Sequence, residues 1–317
     1  VLAFPYTPTN FAISGLDPLS TDDSTLLDCG VSTFDSGTLA FGNWCGQNQP
    51  TPVVQTQSGG PDIVVVPVRN LTLAAGSTIK LTGTRPVVLA VFGNATIAGT
   101  IDASASGSTP GPGGNTSCGT STGGSGSGDT ARFGGASGGG GGGFGTAGGK
   151  GGTADTDGSS STGGIAGVAR GSAAQTPLIA GCAGGLAGDC STASGAGGGA
   201  VQVSVAGALK VSGTVHSDGG SGSTPCGATD EGGGTGGGSG GAILLEGATV
   251  DLTGSTVHAN GGNGGKNGTF AGIYNCGGEA GGNGSTSASN AGANGQSCQG
   301  GSSAGGGGYG RVTTLDR

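Results

Sequence analysis

The stretch GGGSGGAILLEGATVDLTGSTVHANGGNGG, residues 236–265, decides how the rest of the chain is read. Between its glycine runs, apolar and small polar residues alternate with the two-residue period of strands that bury one face. Ala-Ile-Leu-Leu (242–245) is a short apolar run, Thr-Val-Asp-Leu (249–252) an alternating one and Thr-Val-His (256–258) a third, with small residues between them. Glycine weakens strands and helices alike. Its density on both sides therefore needs a structural explanation of its own.

The pattern recurs. LTLAAGSTIKLTGT (71–84), VLAVFGNATIAGTIDASA (88–105), VQVSVAGALKVSGTVHSDGG (201–220) and ILLEGATVDLTGSTVHANGG (243–262) share it. The second and third keep identical spacing through I-x-G-T-I-D and V-x-G-T-V-H, and the fourth carries one extra residue, Ser255. A last strand is expected in YGRVTTLD (309–316). One such piece cannot bury both of its faces. Stacked pieces pair their backbones at about 4.8 Å and share one core. The expectation is an all-β chain with almost no α-helix, built as a short β-solenoid. In it Ile97, Val211 and Leu252 form one row, and Ile101, Val215 and Val257 another. A β-sandwich is the alternative, because short alternating strands suit it too.

Glycine-rich inserts separate the pieces, at about 104–199, 219–241 and 261–308. Glycine takes 82 of 317 positions, roughly four times its usual share of about 7%. Hydrophobic residues at 32% argue for order over a disordered low-complexity chain. Polyproline-II-type helices have three residues per turn and no internal hydrogen bonds. Glycine versions can bond side by side, and glycine must then recur every third residue at the contacts. Gly139, Gly142, Gly145, Gly148 and Gly151 form such a series, as do Gly234, Gly237 and Gly240, then Gly262, Gly265 and Gly268, then Gly278, Gly281 and Gly284. The inserts are thus expected to form a polyglycine-II helix bundle.

The bundle has candidate staples. Cys118, Cys182, Cys190, Cys226, Cys276 and Cys298 lie in the inserts, while Cys29 and Cys45 are placed to pair locally. An even count at wide spacing, without C-x-x-C, points to disulfides rather than zinc. It also points to an oxidising, extracellular or cell-surface location.

Residues 1–60 differ in composition and are expected to form an N-terminal cap or assembly segment, with the solenoid domain over 61–317. Pro5 and Pro8 keep VLAFPYTPTNFAI (1–13) extended. Val1, Leu2, Phe4, Tyr6, Phe11 and Ile13 would be its anchors on the strand edge of a neighbouring copy. The absence of methionine points to a processed start at Val1. A net charge of −8 argues against nucleic acid as a partner. No apolar run of about 18 residues suggests a membrane span.

The segments RPVVLA (85–90), GTIDASA (99–105), PGPGG (110–114) and GGAILLE (240–246) with GGNGG (261–265) resemble the glycine-rich secreted proteins of myxobacteria and related bacteria. The likeness covers roughly residues 60–317 and carries architecture rather than chemistry. The inserts are also similar to the glycine-helix bundles of snow-flea-type antifreeze proteins and phage adhesin tips. No catalytic residue follows from these resemblances.

Candidate chemistry is sparse. Gly-x-Ser-x-Gly at 237–241 and 135–139 lies inside glycine runs, without the strand–turn–helix setting of a hydrolase elbow. Glu246 and Asp251 are the carboxylates that could share a groove in a polysaccharide-acting β-helix enzyme. Stacking would bring His216 and His258 one rung apart, near Asp102. These three are the candidate metal ligands, fewer than a zinc site normally uses, so no metal or other cofactor is expected. The leading expectation is a non-enzymatic, self-assembling fibre or matrix subunit. An adhesin for surface glycans or an ice-binding module comes next, and the enzyme last.

Overall fold

The computed structural model describes residues 3–20, 22–128, 135–156, 159–188, 192–224, 232–268, 280–298 and 301–317. Val1, Leu2, Cys190, Cys226 and Cys276 fall outside them. Among the described residues there is no α-helix. β1 (Thr25–Leu27) and β2 (Val31–Asp35) make a first coil, and β3 (Ala40–Gly42) turns back antiparallel on β2. β4 (Val53–Gln55) runs antiparallel to β5 (Ile63–Val68), which opens a second coil with β6 (Leu71–Leu73) and β7 (Thr78–Thr82). The third coil is β8 (Val87–Val91), β9 (Ala95–Ile97) and β10 (Thr100–Asp102). In the first insert, β11 (Ala154–Thr156) and β12 (Ser159–Ser161) pair antiparallel. The fourth coil is β13 (Ala200–Val211) with β14 (Thr214–His216), and the fifth is β15 (Ala242–Asp251) with β16 (Thr256–His258). β17 (Arg311–Asp316) lies alongside β15.

The coils stack in parallel and in register. Val64, Val87, Val201, Ile243 and Val312 form one inward row. Ile79, Ile101, Val215 and Val257 form another. A sandwich of hairpins would be antiparallel, so the parallel ladders select the solenoid. Val211 stacks on Ile97 as expected. The extra Ser255 is absorbed in a turn: Ser255 N–H donates to Leu252 O, and Gly254 takes the positive φ. β16 then resumes the register of β14.

The solenoid also begins earlier than position 61. Thr25–Leu27 pairs with Leu71–Leu73, and Val31–Asp35 with Thr78–Thr82. Leu27 and Phe34 thereby enter the core, where Phe41 packs on Phe34 and Trp44 on Phe41. The Cys29–Cys45 disulfide closes this end.

The wall made by β5, β8, β13 and β15 is buried on both faces. Val64, Val66, Leu89 and Val203 face the solenoid interior. Ile63, Val65, Val88 and Ala242 face a second core formed with Phe4, Phe11, Phe92, Phe144 and Leu178. A parallel sheet covered on both faces reads as a continuous apolar run, which explains IVVVPV and VVLAV.

The glycine inserts bond backbone to backbone with a period of three. Gly138 and Gly141 donate to Gly152 O and Gly149 O, Gly139 and Gly142 to Gly234 O and Gly237 O, and Gly140 and Gly143 to Gly124 O and Ser121 O. Three successive residues thus address three different neighbouring segments before the cycle repeats. A Cβ on Gly236 would lie 1.9 Å from Gly140 O, one on Gly237 2.1 Å from Gly262 O and one on Gly238 2.0 Å from Ala196 O. Inner segments therefore need glycine at successive positions, not only at every third one. Surface segments are freer: Thr162, Ile165 and Val168 are exposed while Gly164 and Gly167 are buried. The series Gly139–Gly151 is not one straight segment. It bends at 144–146 and doubles back, so that Gly141 N–H meets Gly149 O. Cys118–Cys182 bridges two of these segments, and Cys298 is also disulfide-bonded.

Candidate functional site

The densest group of chemistry-bearing side chains lies along the third wall of the solenoid. Parallel pairing puts Lys80, Asp102, His216 and His258 at equivalent positions on β7, β10, β14 and β16. Two residues further along the chain, Ser104, Asp218 and Asn260 make a second row. Lys80 Nζ donates to Asp102 Oδ2 at 2.7 Å, and Ser104 N–H donates to Asp102 Oδ1 at 2.8 Å. Asp218 N–H donates to Ser104 Oγ and Asn260 N–H to Asp218 Oδ1, at 2.8 and 2.7 Å. Each coil thus fixes the side chain that the next coil uses.

The two imidazoles stack, with ring centroids 5.4 Å apart and planes 30° from parallel. His258 Nδ1 lies 2.8 Å from Asp218 Oδ1 and 3.0 Å from Asn260 Nδ2. His216 Nδ1 lies 2.9 Å from Ser104 Oγ and 3.7 Å from both Asp102 Oδ1 and Asp218 Oδ2. Burial by itself would raise the Asp102 carboxyl. The hydrogen bonds from Lys80 and Ser104 N–H, with His216 nearby, outweigh burial and hold it below the usual carboxylate range. Asp218 is held low in the same way: burial opposes, but His216, the Asn260 N–H and His258 prevail.

Stacking therefore brings His216, His258 and Asp102 together, but Asp102 is engaged by Lys80. Among the described residues no group of three His, Cys, Asp or Glu side chains is arranged to hold a metal. Asp218, absent from the sequence-derived candidates, is the carboxylate that touches both rings. Its signal was the recurrence of a polar residue two positions after Asp102, His216 and His258.

Glu246 and Asp251 do not share a groove. Asp251 is exposed, its carboxylate accepting from Thr253 N–H in its own turn. Glu246 is fully buried. It accepts from Thr9 N–H, Thr9 Oγ1, Gln202 Nε2 and Ser204 Oγ at 2.7–3.0 Å, and from Arg317 at 3.2 Å. This carboxylate pins the N-terminal segment. Phe4 packs edge-on against Tyr6, Phe11 and Phe92, and Tyr6 OH donates to Val205 O at 2.9 Å. Burial, then the Glu246 charge, pushes the Tyr6 phenol well above its ordinary value. Of the described anchors, only Ile13 stays exposed. Ser239, in the Gly-x-Ser-x-Gly run, is buried, and its Oγ accepts from Cys182 N–H.

No family model, curated protein or solved structure matches the chain.

Proposed function

We propose that this chain is a secreted structural protein, a rigid subunit of an extracellular fibre or matrix. The observation that supports this is the three-directional backbone bonding of the inserts. A bundle whose inner glycines have no room for a Cβ admits few alternative packings, and disulfides stiffen it further. We take these segments to be polyglycine-II-type helices. The disulfides fit an oxidising location outside the cell.

Assembly would use a strand edge. Residues 4–11 are already committed to their own chain. Among the described residues, however, β17 pairs only with β15, and β16 only with β14. Unpaired strand edges are templates for pairing with another chain. Arg311 N–H and Arg317 N–H donate toward β15, so by alternation Thr314 N–H points to the open side. The purified protein should self-associate in sedimentation and give regular assemblies by electron microscopy. Thr314→Pro, which removes one outward donor and no ladder bond, should reduce that association. A wild type that stays monomeric at high concentration would refute this role.

A second reading, an adhesin or ice-binding module, is favoured by one exposed face of the bundle. Thr162, Ile165 and Val168 recur every third residue beside exposed Thr122 and Ser125. Ile165 and Val168 are 67% and 50% exposed, and with Thr162 they form a row rather than scattered single residues. Thermal hysteresis and glycan-array measurements test the two forms of this reading, and loss of either signal in Ile165→Lys would place the activity on this face.

A further inference from the structure

We infer that the outward face of the third solenoid wall binds a linear, uncharged polysaccharide laid along the solenoid axis. This rests on neither of the surfaces used in the readings above.

Parallel register puts Thr78, Thr100, Thr214 and Thr256 in one row on β7, β10, β14 and β16. Each stands one residue before an inward Ile or Val, so alternation turns it outward. Two residues on, about 6.6 Å along each strand, lies the row of Lys80, Asp102, His216 and His258. Successive rungs repeat both rows at about 4.8 Å. The wall of β5, β8, β13 and β15 has its outer face covered by the second core. The third wall is open instead. Thr256 is exposed and the other three threonines are half-buried, and the side chains of the Lys80–His258 row are 20–29% exposed.

This face keeps hydrogen-bonding capacity that the fold does not use. Among the described residues the four threonine hydroxyls make no hydrogen bond, and each offers one donor and two acceptor sites. Lys80 Nζ gives two of its three donors to Asp102 Oδ2 and Ser104 O. Asp102 accepts from Lys80 and from Ser104 N–H, which leaves about two of the four acceptor sites of an ionised carboxylate. Donors and acceptors therefore lie side by side on a grid that the coils themselves hold in place. A matching ligand carries groups that both donate and accept, repeated along a line. Sugar hydroxyls do both, and a linear polysaccharide repeats them along its length. Charge narrows the class. At pH 8, above the ordinary histidine range, the carboxylates of Asp102 and Asp218 face one ammonium, Lys80. Like charge across an interface is costly, so a polyanionic glycan is disfavoured.

Affinity electrophoresis of the full chain at pH 8 tests this, with gels holding a linear glucan, mannan or xylan and, as the acidic counterpart, polygalacturonate. At least one neutral gel should retard the wild type, and polygalacturonate should not. Thr100→Val with Thr214→Val keeps β-branched side chains in the strands but removes two hydroxyls, and should weaken binding about tenfold or more. Thr256→Arg, at the exposed end of the row, is a second variant and should obstruct the ligand by its bulk. Ile165→Lys, on the bundle, should bind as the wild type does. Unchanged far-ultraviolet circular dichroism and melting temperature identify the variants that remain folded. A wild type retarded by no neutral gel, or more strongly by polygalacturonate, overturns the inference. So does unchanged binding in the folded threonine variants, or loss of binding in Ile165→Lys. Thermal hysteresis that disappears with Thr100→Val and Thr214→Val would make the row an ice surface and overturn it as well.

Discussion

The solenoid and the glycine bundle are made by one chain but held by opposite means. In the solenoid, side chains carry the fold: each buried Val, Ile or Leu contributes roughly 1.5–3 kcal/mol, and the backbone only sets the rung spacing. In the bundle the backbone carries it. Each N–H···O bond is worth roughly 0.5–1.5 kcal/mol net, against the large conformational entropy that glycine loses on folding. Bonding in three directions, where a strand bonds in two, does not add bonds per residue but ties each inner segment to more neighbours, and disulfides reduce the entropy loss at the source. The two regions are continuous. β14 and β16 run directly into glycine segments, and Ser217 N–H to His258 O and Gly219 N–H to Asn260 O carry the pairing across the boundary. What differs is tolerance. The solenoid should accept apolar changes that conserve volume, whereas the inner glycines of the bundle should accept no added carbon.

The sharpest way to break this contrast is Gly237→Val. Its Cβ would meet backbone oxygens of Gly262 and Asn263, which cannot rotate away as a side chain would. A loss of about 4 kcal/mol or more is expected, in the severe tail of single substitutions. Hydrogen exchange should show 232–241 and 261–268 losing protection while Ile63–Val68 keeps it. Uniform loss across both regions would mean that they are one cooperative unit. Next in size is the pair Cys118→Ser and Cys182→Ser. The bond spans 64 residues, and by the chain-entropy relation its removal lowers stability by about 4 kcal/mol, measurable by denaturant titration. Ile101→Ala should then cost about 3 kcal/mol, within the usual 2–5 for such cavities, but Ile101→Val only about 1. A larger effect from Ile101→Val than from Gly237→Ala would invert the comparison.

The smallest effect concerns the ladder. Asp102 and Asp218 have depressed carboxyl values in the folded chain, so they contribute stability above the unfolded-state value of about 3.9. That contribution is lost as pH falls through their folded values. Melting curves between about pH 5 and pH 2 should show the loss, and Asp102→Asn with Asp218→Asn should flatten it. An unchanged slope in the double variant would place the acid sensitivity elsewhere.

Much of the solenoid was legible because its signals are local and repeated. The shared spacing of 95–102 and 209–216 fixed which residues stack, including Asp102 beside His216 and His216 beside His258. The first coil was not legible, because Thr25–Leu27 and Val31–Asp35 are short and sit among turns, and only their partners on β6 and β7 define them. Asp218 escaped notice for a related reason. It lies past the end of its strand, but Ser217 N–H to His258 O and Gly219 N–H to Asn260 O continue the pairing there, so Asp218 shares a face with His216 and its carboxylate reaches both rings.

The sequence by itself determined the class of fold, the inward rows, the Cys29–Cys45 pairing and the need for glycine between the coils. These depend on residue type and period, which are properties of neighbours along the chain. Only the tertiary structure decided which glycine faces which, that inner segments need it at successive positions, and that Glu246 holds the N-terminal segment on its own chain. A glycine has no side chain to specify a partner. Its neighbours are chosen by how segments far apart in sequence pack together, and that choice exists only once the whole bundle has formed.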